Sequence, residues 1–150
     1  MLKTVGQNQG PTFSAYLGTN QVVATGQTKV QLNTEQWDTN GAYDNATNYR
    51  FQPLVAGYYQ VDFFANFGGL TNLPQASVWK NGTNAGAGSI PATGYGSQIS
   101  TMVYLNGSTD YIEFYVYAGA GGGTVFNGAA NTRASAAWIR SYSWDCLKRF

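Results

Sequence analysis

Apolar residues alternate with polar ones over short stretches of this chain and are repeatedly interrupted by Gly, Asn or Pro, so the pattern predicts strands and turns rather than helices. In Tyr59, Val61, Phe63, Ala65 and Phe67 every second residue is apolar while Gln60, Asp62 and Asn66 intervene, which predicts one buried and one wetter face. Phe64 interrupts the wetter face. Ile99, Val103 and Leu105 share an inward face, and from Tyr111 to Ala118 the residues Ile112, Phe114, Val116 and Ala118 oppose Tyr111, Glu113, Tyr115 and Tyr117. Residues 12–18 place Phe13, Ala15 and Leu17 together, 28–32 point Val30 and Leu32 inward, and 21–25 suits a short edge strand. Segments 76–80 and 134–142 complete the set.

Turn chemistry separates these runs. Asn81-Gly82 favours a type I′ hairpin because both residues accept positive φ, and Asn106-Gly107 gives a second turn signal. Trp37 to Asn48 is rich in Asp, Asn, Thr and Gly and reads as a long loop, 83–96 is too broken for a long strand, and Gly119–Gly123 reads as a flexible loop. About eight short strands at spacings of about ten residues indicate one all-β domain of sandwich, jelly-roll or barrel type, and pattern alone does not choose among them. No repeat or linker divides the chain, so the expected organisation is an arm at 1–11, a domain at 12–142 and a tail at 143–150.

Composition narrows the functions. Of 150 residues only 10% are charged, 15% are aromatic and 19 are Gly, so the surface must be built from amides, hydroxyls, Gly and Tyr. Lys+Arg of 8 against Asp+Glu of 7 leaves a net charge of +1, no footprint for a phosphate backbone, and nucleic acid is not an expected partner. The single cysteine, Cys146, excludes an intramolecular disulfide, and with no histidine there is no zinc set around it. The start at Met1 lacks an apolar core of signal-peptide length and no window approaches a membrane span. The expectation is synthesis in a host cytoplasm, no membrane partner, and release within a particle by lysis.

Catalysis has little to work with. Glu35, Asp38, Asp44, Asp62, Asp110, Glu113 and Asp145 are the only carboxylates, and a glycosidase pair must face across a cleft. Asp44 and Asp110 sit in turns, where Asp caps backbone groups. The dense one-three-five pattern of a calcium loop is missing, and no Lys-Ser/Thr or helix follows Gly119–Gly123 as a phosphate loop would require. No catalytic residue, metal or cofactor is expected.

Several segments together carry a resemblance. Phe13-Ser14-Ala15-Tyr16 stands first, Val30-Gln31-Leu32 precedes a polar loop, and that loop runs from Tyr43 to Phe51. Pro53-Leu54-Val55-Ala56-Gly57-Tyr58-Tyr59-Gln60-Val61-Asp62-Phe63 has the form Pro-x-x-x-Gly-x-Tyr-x-Phe-x with one residue of variation after the Gly. Val78-Trp79-Lys80-Asn81-Gly82 gives a Lys-Asn-Gly hairpin, Leu105-Asn106-Gly107-Ser108-Thr109-Asp110-Tyr111-Ile112 gives a Leu-x-x-Gly-Asp-x-Val-like pair, and Ser135-Ala136-Ala137-Trp138-Ile139 closes the series. Over about residues 12–142 this order resembles the globular head of complement component one-q, which shares its trimeric jelly roll with tumour necrosis factor. The resemblance implies an antiparallel two-sheet jelly-roll sandwich that forms homotrimers. No collagen stalk is expected, and stalkless domains of this type resemble capsid decorations and fibre tips of tailed-phage virions.

The outward aromatics fit such assembly. Met102 and Tyr104 on one strand and Tyr111, Tyr115 and Tyr117 on the next are expected to form a single outer surface that serves as the trimer contact. The tail holds Trp144, Leu147 and Phe150 beside Lys148 and Arg149, a candidate contact for an underlying major capsid protein or for the domain itself. The expected function is a capsid decoration, or cement, protein of the virion. The runner-up is a receptor- or glycan-binding head in which Trp37, Tyr43, Trp79 or Tyr95 in outer loops stack on sugar rings.

Overall fold

The computed structural model describes residues 10–69, 74–88 and 96–141. Among them lie thirteen strands and no helix: β1 (Thr12–Tyr16), β2 (Gln21–Val23), β3 (Gly26–Lys29), β4 (Thr34–Asp38), β5 (Tyr43–Asp44), β6 (Arg50–Phe51), β7 (Gly57–Gly68), β8 (Gln75–Lys80), β9 (Thr83–Ala87), β10 (Gly96–Leu105), β11 (Ile112–Ala118), β12 (Gly123–Val125) and β13 (Thr132–Arg140). All pairings are antiparallel. The first sheet runs β10-β7-β13-β1-β4, with β12 paired to the end of β7 and β2 to β12. The second runs β5-β6-β11-β8-β9, with β3 also paired to β11.

The alternation read from the sequence positions the core. Tyr59, Val61, Phe63, Ala65 and Phe67 of β7 and Ile112, Phe114, Val116 and Ala118 of β11 are all buried between the sheets. Phe13 lies between Tyr43 and Phe51, with ring centroids 4.6 Å away on each side, and Phe114 sits 5.2 Å from Phe63. Each such fully buried side chain contributes about 1.5–3 kcal/mol relative to exposure, so these rings tie both sheets together.

Gly57 opens β7 with φ of 154°, and a Cβ there would meet the Trp138 indole and the Arg140 carbonyl. The close passage of β13, which is irregular between Trp138 and Arg140, is thus the physical reason for the glycine in the Pro53–Phe63 signature. Asn81 and Gly82 have φ of 50° and 76°, the signs a type I′ turn requires, and join β8 to β9.

One expectation needs correction. The stretch read as a loop from Trp37 begins inside β4, an edge strand whose residues Thr34–Asp38 are polar apart from Trp37 and carry no alternation to betray it. The expected turn at Asn106-Gly107 is present and joins β10 of the first sheet to β11 of the second. The chain there crosses between layers.

Candidate interaction surfaces

Register assigns the outward residues of the first sheet to rows. Tyr16, Arg133, Phe64 and Gln98 align across β1, β13, β7 and β10, followed by Ser14, Ser135, Asp62 and Ser100, and then by Thr12, Ala137, Gln60 and Met102. Tyr58 and Tyr104 pair edge-to-face at 5.5 Å where β7 and β10 meet the crossing turn. The middle of this face is made of small side chains: Ser14 is covered by Gln36, whose Oε1 accepts its hydroxyl at 2.8 Å, and Gln60 donates to the Ser100 hydroxyl at 2.9 Å. A shallow depression of about 340 Å³ lies among Asp62, Phe64, Gln98, Ser100, Arg133 and Ser135.

The second sheet's outer face is organised differently. Trp79 of β8 and Tyr115 of β11 stack at 4.4 Å, and the indole N–H donates to the Ser77 hydroxyl at 3.0 Å. Arg50 lies over the Tyr111 ring at 4.5 Å, while the Lys29 ammonium pairs with Glu113 and donates to the Asn48 carbonyl at 3.1 Å. Burial, followed by the Glu113 carboxylate, pushes the Tyr115 phenol up from its ordinary pKa. On this face Lys29, Arg50, Trp79 and Tyr115 each have a partner, while Tyr117 is exposed.

The expected single aromatic surface is therefore corrected. Met102 and Tyr104 point outward from the first sheet and Tyr115 and Tyr117 from the second, with Tyr111 just ahead of β11 beside Arg50, so the five residues stand on opposite sides of the sandwich. Alternation within each strand was read correctly, but it carries no information about which sheet a strand joins.

Tyr43 is also misplaced by the sequence reading. It is 6% exposed, packs on Phe13 and donates its hydroxyl to the Leu32 carbonyl at 3.0 Å, and burial followed by the Asp44 charge pushes its phenol far up. It is a core residue and cannot stack on a sugar. Trp79 stands on a strand rather than in a loop, half-covered by Tyr115. Trp37 is exposed at the β4 edge and donates to the Thr12 hydroxyl at 3.3 Å. Tyr95 and the tail residues Trp144, Leu147, Lys148, Arg149 and Phe150 lie outside the described residues.

Three of the carboxylates are occupied structurally. Asp44 accepts from the backbone N–H groups of Ala46, Thr47 and Asn48, and these bonds hold its carboxyl well below the usual range. Asp110 accepts from the Lys80 ammonium at 2.8 Å, the Asn81 side chain at 2.8 Å and the Asn106 N–H at 3.0 Å. Asp38 accepts from the Tyr43 and Asn40 N–H groups. A second depression, of about 380 Å³, lies at one end of the sandwich among Asn40, Tyr43, Arg50, Gln52, Leu54 and Val55. It is open and brings no pair of free carboxylates together.

No protein-family model and no curated protein matches the chain. Solved structures do. Murine APRIL has a TM-score of 0.69 at 10% identity, covering 87% of this chain and 100% of that one. The globular domain of zebrafish complement 1qA protein has a TM-score of 0.61 at 14% identity, covering 87% and 98%. PRD1 vertex protein P5 has a TM-score of 0.62 at 17% identity, again covering 87% and 98%. These likenesses show the fold: the chain has the two-sheet jelly roll of these proteins, as its sequence motifs anticipate.

Proposed function

We propose that this chain is a homotrimeric structural protein of a virus particle, a decoration or cement protein that strengthens a phage head by bridging subunits of the major capsid protein. The observation that supports the virion part of this reading is the shared fold with PRD1 vertex protein P5 over nearly the whole of that chain. The outer face of the first sheet supports it. That face spans five adjacent strands, is small-sided in its middle, and presents Met102 at 57% and Tyr104 at 37% exposure beside half-buried Tyr16 and Phe64. Flat, weakly charged surfaces with Tyr, Phe and Met are suited to burial between subunits, and stable contacts bury about 1,200–2,000 Å².

A cement protein works by adding buried interface, so it needs no nucleophile, metal or cofactor. The use of Asp38, Asp44, Asp110 and Glu113 as caps and ion-pair partners accords with that requirement. Quantitative mass spectrometry and cryo-electron microscopy of purified particles test the assignment. Hundreds of copies spread over the shell, with heads lacking the protein losing their contents at lower temperature, are expected. A few copies at a vertex or tail would contradict decoration in favour of a receptor-binding head.

A further inference from the structure

Asparagine followed by glycine is prone to attack on itself, because glycine has no Cβ to shield its nitrogen or to restrict the rotation that brings that nitrogen onto the asparagine side chain. The chain carries four such pairs, Asn40-Gly41, Asn81-Gly82, Asn106-Gly107 and Asn127-Gly128. Attack needs a glycine N–H that is not engaged, a side-chain amide free to swing over it, and room for the backbone to bend.

Three of the pairs fail these conditions. Gly128 donates its N–H to the Leu17 carbonyl at 2.7 Å, and the Asn127 amide donates to the Gly18 carbonyl at 3.2 Å. The Asn106 side-chain oxygen accepts from the N–H groups of Ser108, Thr109 and Asp110 at 2.9–3.0 Å, and its nitrogen donates to the Thr109 hydroxyl at 2.9 Å. Gly107 is pressed so closely on Ala56 that a Cβ would overlap the Ala56 nitrogen. Asn81 is held at both ends of its amide, the nitrogen donating to Asp110 at 2.8 Å and the oxygen accepting from the Tyr111 N–H at 3.0 Å. The bonds that build these turns keep the three amides from reacting, since each must be broken before the side chain can move.

Asn40-Gly41 differs in every respect. Both residues are exposed, and the Asn40 side-chain nitrogen and the Gly41 N–H have no partner among the described residues. The Asn40 side-chain oxygen accepts only from the adjacent Thr39 hydroxyl at 2.8 Å, and the space a Gly41 Cβ would take is empty to 4 Å. The loop is pinned on either side of this tip, by the Thr39 N–H on the Thr12 carbonyl at 3.0 Å and the Gln52 N–H on the Ala42 carbonyl at 2.8 Å, so the tip can bend while the strands stay paired.

We infer that Asn40 is a self-modification site of the folded chain, at which deamidation proceeds through a cyclic imide closed by Gly41. The Gly41 nitrogen, having given its proton to base, bonds to the Asn40 side-chain carbon; the bond to Nδ2 breaks and ammonia leaves. Water then opens the imide at either carbonyl, giving aspartate or isoaspartate. The new carboxylate stands at the rim of the end depression, where Arg50 and Asp44 supply one charge of each sign, and makes that rim acidic. It also lies beside Asp38, whose carboxylate accepts the Asn40 N–H.

Peptide mass mapping of the full chain after incubation at mildly alkaline pH in heavy-oxygen water is the test, with circular dichroism confirming that the fold persists. In the folded chain Asn40 is expected to convert about tenfold or more faster than Asn81, Asn106 or Asn127, whereas in urea, where the turn bonds are lost, the four rates should fall within about threefold of one another. The product should carry the heavy oxygen and contain both aspartate and isoaspartate, as opening of an imide requires. Asn40→Gln, whose extra methylene disfavours ring closure, should keep the same fold and remain unmodified at that position. Conversion of Asn81 or Asn106 as fast as Asn40 in the folded chain, survival of Asn40 there while the urea-treated chain converts, or a product without isoaspartate would each overturn the inference.

Discussion

Asp110 closes two turns at one end of the sandwich, binding the Asn81 amide of the β8–β9 hairpin and the Asn106 N–H of the crossing turn while pairing with Lys80. Burial pushes its carboxyl up, but the bonds from Lys80, Asn81 and Asn106 outweigh burial and hold it below its ordinary 3.8. Asp110→Ala leaves the Asn81 and Asn106 donors unmatched and the partly exposed Lys80 ammonium with the Tyr104 carbonyl alone, and chemical denaturation should show a loss of about 1–3 kcal/mol. A depressed folded pKa means that the stabilisation is complete above the ordinary value and is lost as pH falls through the lower folded one. The melting temperature should therefore hold down to about pH 5 and fall below about pH 4, and Asp110→Asn should make that fall shallower. Tyr43 gives the contrasting lesson. Its neighbours Asp38, Asn40, Gly41, Asp44 and Asn45 are all turn residues, so the sequence reads as exposed loop, whereas the ring fills a slot beside Phe13. Tyr43→Phe, which removes only the bond to Leu32, should cost about 1 kcal/mol in a thermal melt, and Tyr43→Ala about 3–5.

Strands buried on one face announced themselves at the element scale. In β7, β10 and β11 the polar and apolar positions alternate because one side of each strand meets the opposite sheet, and the inward residues read from the sequence are the buried ones. β4 did not announce itself, being paired among the described residues only to β1, and neither did the sheet change at Asn106-Gly107, since a turn signal specifies reversal but not the partner. The glycines of two elements give a graded prediction. Gly82→Ala meets open space and pays only for positive φ, about 1 kcal/mol, whereas Gly57→Ala drives a methyl into the Arg140 carbonyl and the Trp138 ring and should cost about 3 kcal/mol or more. Urea titration of both variants checks the order, and equal losses would contradict the packing account of the signature glycine.

At the scale of the whole molecule, the jelly roll was legible because its motifs lie at positions where packing or backbone conformation restricts the residue, Gly57 by its close contacts and the Asn81-Gly82 turn by its positive φ. The assembly surface was only half legible. Outward Tyr and Met positions could be read strand by strand, but the side of the sandwich they occupy depends on pairings between residues far apart in the chain, such as Phe64 with both Gln98 and Arg133. That geometry puts Met102 and Tyr104 on the first sheet and Tyr115 and Tyr117 on the second, with Tyr115 stacked on Trp79. Self-association is the claim on which the structural role rests, and sedimentation equilibrium of the purified chain at micromolar concentration measures it most directly. The account predicts a single species of three times the 16.2 kDa chain mass; a mass of one chain, unchanged on concentration, would contradict it.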